Sequence, residues 1–336
     1  DKSSTANRYE DRIYIIGVLP QGVDPTSHLT PPVVDNLPMY KTSQNLQAYA
    51  VMTIAAWCWA ANSIFSRLAA NEVSPMLLVT FRWFGVLLLI LVFARRYIAQ
   101  DWPVLRIHLR YVAIMGACGF TGFNALFYVA GHTTTAINLG ILQGAMPVFV
   151  ILGMFVAYRA RVTRMQVFGV LVTIGGVVVV GSAGSLDRLS ALKFNTGDIL
   201  VMGCCLLYAG YAVGLRNRPD VSALGFFSAM ATAAFFTSLP LSMLEWALGD
   251  LQWPTTKGWM IIPAVVLLPS FLAQVCFLRG VALIGPNRAG VFINLVPIFV
   301  AILAVLFIRE NFELFHAIGL FFVMGGIWLS ERGKDD

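Results

Sequence analysis

The chain has very little charge. Only 12% of its 336 residues are Asp, Glu, Lys or Arg, against roughly 25% in an ordinary soluble domain, and 58% are hydrophobic. With a mean hydropathy of +0.76, a soluble globular body is excluded. Cysteine and histidine are scarce. Cys58, Cys118, Cys204, Cys205 and Cys276 all fall in apolar runs, and no pair has metal-ligand spacing, so neither zinc nor a disulfide framework is indicated. The apolar runs also lack a paired aspartate, an H-E-x-x-H helix and a Ser/His dyad. No catalytic residue, metal or cofactor is therefore expected. The net charge of +6 follows the loops rather than forming a patch, which argues against nucleic acid as a partner. No Asp or Glu stands in the middle of an apolar run, where a proton-coupled carrier generally keeps one.

What is present is a series of apolar runs about 20 residues long, the length that crosses a bilayer core. Ten are expected, near 47–69, 75–94, 110–130, 135–157, 164–183, 197–215, 221–244, 258–280, 286–308 and 312–331. The fold class is therefore an all-α membrane protein embedded in a lipid bilayer. Residues 1–46 are polar and proline-bearing and are expected to form a flexible cytoplasmic arm, with five-helix repeats at 47–183 and 197–331. With the N-terminus inside, the inner loops and tail carry 13 Arg or Lys residues. The outer loops carry 5, namely Arg67, Arg188, Lys193, Lys257 and Arg309. The positive-inside rule then places both termini in the cytoplasm, in what is expected to be a bacterial inner membrane.

The two halves repeat each other at a constant offset of 150. Phe127 recurs as Phe277, Gly140 as Gly290, Pro147 as Pro297, Gly169 as Gly319 and Gly175-Gly176 as Gly325-Gly326. Glycine and proline carry packing and backbone consequences, so these matches say more than coincidences of Val and Leu. Five spans per copy is an odd number, so the second copy enters the bilayer upside down. Inverted repeats suit a transporter, whose halves exchange conformations around a site near the midplane.

Several segments then resemble the ten-span EamA branch of the drug/metabolite transporter superfamily. These are Trp59-Ala-Ala-Asn62, Pro75 with Arg82, Phe127-Tyr128-Val-Ala130 through Ala136 to Pro147-Val-Phe149, and Pro297-Ile-Phe299 followed by Glu310 and Gly319. Ala160 departs from the pattern, since the first repeat of that family often has Glu there. The resemblance implies export or facilitated passage of small metabolites, prominently amino acids, through a central cavity.

Polar side chains within spans are costly unless they face the bundle interior, which makes them the substrate-binding candidates. Asn124 and Gln274 are related by the offset of 150; Gln143 and Asn294 stand one position off it. Trp59 with Asn62, Tyr208 with Tyr211, and Asn124 with Tyr128 share helix faces by spacing. Amides and hydroxyls of this kind could hydrogen-bond a zwitterion, or could merely tie helices together. Arg82, a full charge inside the second span, is read as structural, capped by carbonyls or snorkelling, with carboxylate binding as the alternative. Pro147, Pro297 and Glu310 are gating or structural candidates, Glu310 by capping exposed amides. His132 and His316 lie near span ends and read as interfacial. The expectation is facilitated transport or exchange by a monomer or weak homodimer. A carrier of anionic sugar phosphates and a non-transporting membrane subunit are the alternatives.

Overall fold

The computed structural model describes residues 38–190 and 194–332. Most of the expected arm, together with Lys193 and Lys334, lies outside the described residues. Among the described residues, ten helices are long and apolar enough to cross a membrane: Asn45–Ala69, Pro75–Phe93, Arg95–Ala130, Ala136–Tyr158, Arg164–Gly181, Thr196–Asn217, Ala223–Ala247, Thr256–Ile284, Arg288–Ile308 and Leu314–Arg332. They are the first to tenth spans. The first helix starts at Pro38, ahead of the boundary near 47 that hydropathy suggests, because proline suits a first helical turn whether or not the turn is apolar. The third span likewise starts at Arg95 rather than near 110.

Short polar residues start several spans. Thr135 accepts from the N–H of Asn138, Ser222 from that of Gly225 and Thr255 from that of Gly258. Thr163 and Gln166 form a reciprocal capping box at the fifth span. Each supplies an acceptor for an amide that no helical turn can satisfy.

Packing follows the inverted repeat. The first span lies against the eighth and ninth, and its counterpart, the sixth, lies against the third and fourth. The second packs on the seventh and the fifth on the tenth. Each half thus lends its first span to the other, while the polar residues of the first, second and third spans meet one another inside the first half. The fifth and tenth spans cross through glycines. A Cβ on Gly169 would come within 2.5 Å of the Gly326 carbonyl oxygen, and a Cβ on Gly326 within 2.5 Å of that of Gly169. Large apolar side chains such as Phe93, Phe155, Trp246, Phe307 and Phe321 remain exposed, the surface a bilayer covers. One rim of the bundle carries both ends of the described chain; the other is called the distal rim below.

Candidate functional site

Two spans are broken, at matching positions. The fourth consists of helices Ala136–Gln143 and Met146–Tyr158, the ninth of Pro286–Ile293 and Val296–Ile308. Proline is the cause. Pro147 and Pro297 sit second in the restarted helices and have no N–H to offer the carbonyl four residues back. The chain bridges each gap with tighter bonds, Ala145 N–H to Leu142 O and Leu295 N–H to Phe292 O, both 3.0 Å. Gln143 ends the first segment of the fourth span, and Asn294 lies in the break of the ninth.

The third and eighth spans carry a second matched irregularity. Each widens into a π-helical segment, Ala117–Gly122 and Val266–Leu272, just before Asn124 and Gln274. Side chains take up the carbonyls that the wider turn misaligns: Asn124 Nδ2 donates to Phe120 O at 2.6 Å, and Ser270 Oγ to Val265 O at 2.6 Å. Such turns recur at functional sites, and here both halves place one at the same depth.

Arg82 is the centre of a cluster that gathers four of the sequence candidates. Its side chain is buried, and Nη1 donates to Asn62 Oδ1 at 2.9 Å, Asn124 Oδ1 at 2.7 Å and the Tyr128 hydroxyl at 2.6 Å. Tyr128 in turn donates to Asn62 Oδ1 at 3.1 Å. The residues sit at similar depth on three spans, each six or seven positions from a distal end: Asn62 from Ala69, Arg82 from Pro75, Asn124 from Ala130. Neither backbone carbonyls nor snorkelling satisfies the guanidinium; side chains of the first and third spans hold it inside the bundle. The Nε atom is buried without a hydrogen-bond partner among the described residues. So is Nε1 of Trp83, whose ring lies 5.3 Å from Arg82 Cζ and stacks on Phe120 at 4.7 Å.

The other candidates disperse. Trp59 packs on Phe277 of the eighth span, ring centroids 5.2 Å apart. Tyr208 and Tyr211 do meet, at 5.8 Å, and face Phe123 and Phe120 of the third span. Gln143 donates to Leu139 O at 3.0 Å and to Ser63 Oγ at 3.4 Å, tying the fourth span to the first. Gln274 and Asn294 are half-buried, and neither side chain forms a hydrogen bond among the described residues.

Carboxylates fasten the halves together at the rims. Glu310 follows Arg309, which adopts a left-handed turn, and its two oxygens accept the N–H groups of Ala136 at 2.9 Å and Ile137 at 3.0 Å. It caps the fourth span rather than its own final helix. Glu245 does the same for the second span, accepting from Met76 at 3.3 Å and Leu77 at 3.2 Å. On the opposite rim Asp101 accepts from Ser222 N at 3.1 Å and Oγ at 2.6 Å, at the start of the seventh span. Ala160 follows Arg159, which has the same left-handed turn, so the counterpart of the Glu310 cap has no carboxylate. Asp198, the one buried carboxylate among the described residues, is held near the distal end of the sixth span by Thr134 at 2.5 Å and Asn138 at 3.3 Å.

Sequence reasoning misses Trp83, Glu245, Asp101 and Asp198. The three acids stand near span ends, where charge is ordinary, and Trp83 reads as one more apolar residue. Only the neighbouring Arg82 marks it.

Residues 46–182 and 195–332 each match the EamA-like transporter family. An uncharacterized transporter of Archaeoglobus fulgidus is 27% identical over 85% of this chain and 98% of its own. The uncharacterized transporter YetK of Bacillus subtilis is 26% identical over 73% and 74%. A solved crystal structure shares the fold, with a TM-score of 0.53 at 20% identity over 86% of this chain and 96% of the other. With both halves matched, the chain belongs to the EamA-like transporter family and is an integral membrane transporter.

Proposed function

We propose that this transporter moves small metabolites, amino acids foremost, by alternating access, with both termini on the cytoplasmic side of a bacterial inner membrane. The observation that carries the reading is the duplicated irregularity: breaks in the fourth and ninth spans and π segments in the third and eighth, each beside an interior amide. Discontinuous helices in corresponding positions of inverted halves present backbone and side-chain polar groups to a substrate at the pseudo-symmetry axis. Asn124, Gln274, Gln143, Asn294, Asn62, Tyr128, Trp59, Tyr208 and Tyr211 are its proposed binding surface.

The rims support two states of access. In this conformation Glu245 and Glu310 fasten the distal rim, and Glu72 adds a bond to Lys257 Nζ at 3.2 Å and another to the Thr255 hydroxyl. Rocking one half against the other would break these ties and tighten the opposite rim, where Asp101 already holds Ser222. No described carboxylate occupies mid-span, which favours facilitated transport or exchange over carboxylate-based proton coupling. The unit of transport is a monomer or a weak homodimer.

A metabolite-wide efflux comparison tests this, using cells that express the chain and cells that express Pro147→Ala. Metabolites whose release depends on the intact chain are expected, with amino acids among them. Identical release profiles with and without the wild-type chain would point to a structural membrane subunit instead.

A further inference from the structure

We infer that the Nε–Nη2 edge of Arg82 is a carboxylate subsite, so that the transported molecule is a monocarboxylate, zwitterionic amino acids included. The inference rests on the transporter reading above and names the chemistry its site selects.

The guanidinium has two hydrogen-bonding edges, and the protein uses them unequally. All three acceptors, Asn62 Oδ1, Asn124 Oδ1 and the Tyr128 hydroxyl, converge on Nη1 within 2.9 Å. Nη1 has only two hydrogens, so that corner is over-supplied, whereas Nε is buried with no partner and Nη2 meets no acceptor among the described residues. A purely structural arginine would share its donors out. Nor is the charge balanced, for Arg82 forms no ion pair among the described residues, and its three neighbours are neutral. A charge at this depth that the protein neither pairs nor exposes is a functional feature by default.

The crowded corner fixes the plane of the fork. Asn124 is itself anchored to Phe120 O, and Tyr128 to Asn62, so Nη1 cannot swing away. Nε–H and Nη2–H then lie parallel, the spacing that two carboxylate oxygens accept together. Trp83 Nε1 is a second buried donor without a partner among the described residues, on a ring whose centroid lies 5.3 Å from Arg82 Cζ. One cation matches one negative charge. A phosphate monoester, close to doubly charged at neutral pH, would bring a second charge that no neighbouring cation offsets. Within the proposed binding surface, Asn62, Asn124 and Tyr128 also serve this subsite as positioning residues, by orienting the arginine.

The test uses the purified full chain in lipid nanodiscs. Thermal unfolding is followed with the twenty L-amino acids, short monocarboxylates, dicarboxylates and phosphate monoesters, and with the carboxamide of each acid. Stabilisation by at least one monocarboxylate and not by its carboxamide is expected. Arg82→Lys, which keeps the charge and loses the fork, should weaken that binding by about tenfold or more, read as the ligand-induced shift from the variant's own ligand-free unfolding temperature. The inference is overturned if no monocarboxylate stabilises, if acid and carboxamide stabilise alike, if only phosphate esters or dicarboxylates act, or if Arg82→Lys binds as well as wild type. Should Arg82→Lys fail to accumulate, the acid and carboxamide comparison on the wild-type chain decides alone. Flux of a metabolite lacking a carboxylate would sink this subsite and leave the transporter reading standing. Carboxylate binding without flux in proteoliposomes would uphold the subsite and count against that reading.

Discussion

Glu310 and Ile137 stand 173 residues apart in the chain, yet the carboxylate of one accepts the backbone N–H of the other at 3.0 Å. With the companion bond from Ala136, one side chain of the second half holds the first turn of the fourth span. The helix dipole and two otherwise unpaired amides both favour a negative charge there.

Removing that carboxylate should loosen the distal rim. Hydrogen bonds to a charged group contribute about 1.5–3 kcal/mol, so Glu310→Ala should raise the population of distal-open molecules on the order of tenfold to a hundredfold. A cysteine introduced at the fully buried Leu139, in a background without the native cysteines, should then react faster with a water-soluble thiol reagent. Equal reaction rates in the two backgrounds would remove Glu310 from the closure.

The breaks of the fourth and ninth spans make a separate prediction. Pro147→Ala and Pro297→Ala each restore a missing N–H and let the helix run through. Proline inside a helix costs about 3 kcal/mol relative to alanine, so neither variant should lose thermal stability. Transport should fall roughly tenfold or more, because a straightened span no longer presents its open backbone groups. Wild-type flux in both variants would show that the breaks are packing features only.

The loop tie at Glu72 sets a pH response. Hydrogen bonds from Thr255 and Lys257, with the nearby ammonium charge, hold its carboxyl below the ordinary 4.5. For an acid whose folded value is depressed, the stabilisation is fully present above the ordinary value and disappears as pH falls through the folded one. Distal-rim protection measured by hydrogen exchange at residues 70–74 should therefore be flat from pH 8 to 5 and decline below about 4.5. The pair is solvent-exposed, so the change should be small. A decline already complete at pH 6 would assign it to another group.

Span count, inverted repeat and most of the Arg82 cluster were legible from residues alone, because apolar length, proline and intramembrane charge leave marks that need no tertiary information. Asn62, Arg82, Asn124 and Tyr128 each stand out as polar residues among apolar ones. Their meeting at Nη1 does not, since it depends on how three spans rotate about their axes. The π segments are hidden for a related reason: an extra residue per turn leaves Ala117–Gly122 as apolar and small as any helix. Glu310 was readable through the resemblance to the EamA pattern, which also exposes Ala160 as its missing counterpart. Glu245 had no such partner to reveal it, and its target is set only when the seventh span lies along the second.

The crossing of the fifth and tenth spans offers the cleanest test of the inverted packing. Gly169 and Gly326 each face the other's carbonyl oxygen so closely that an added Cβ would stand 2.5 Å from it. Neither backbone can yield without moving its helix. Gly169→Ala and Gly326→Ala should therefore each destabilise by about 1–3 kcal/mol, the usual cost of overpacking. Once one substitution has pushed the helices apart, the second meets a wider gap, so the double variant should lose less than the sum of the two. Gly325→Ala is the internal control. It lies next to Gly326 on the same helix, but a Cβ there meets nothing within 4 Å, and alanine is the better helix former, so stability should hold or rise. Thermal unfolding of the four variants in one lipid separates the outcomes. Full additivity of the two crossing variants, or equal loss at Gly325, would mean that the symmetric contact between the halves is not what holds these spans together.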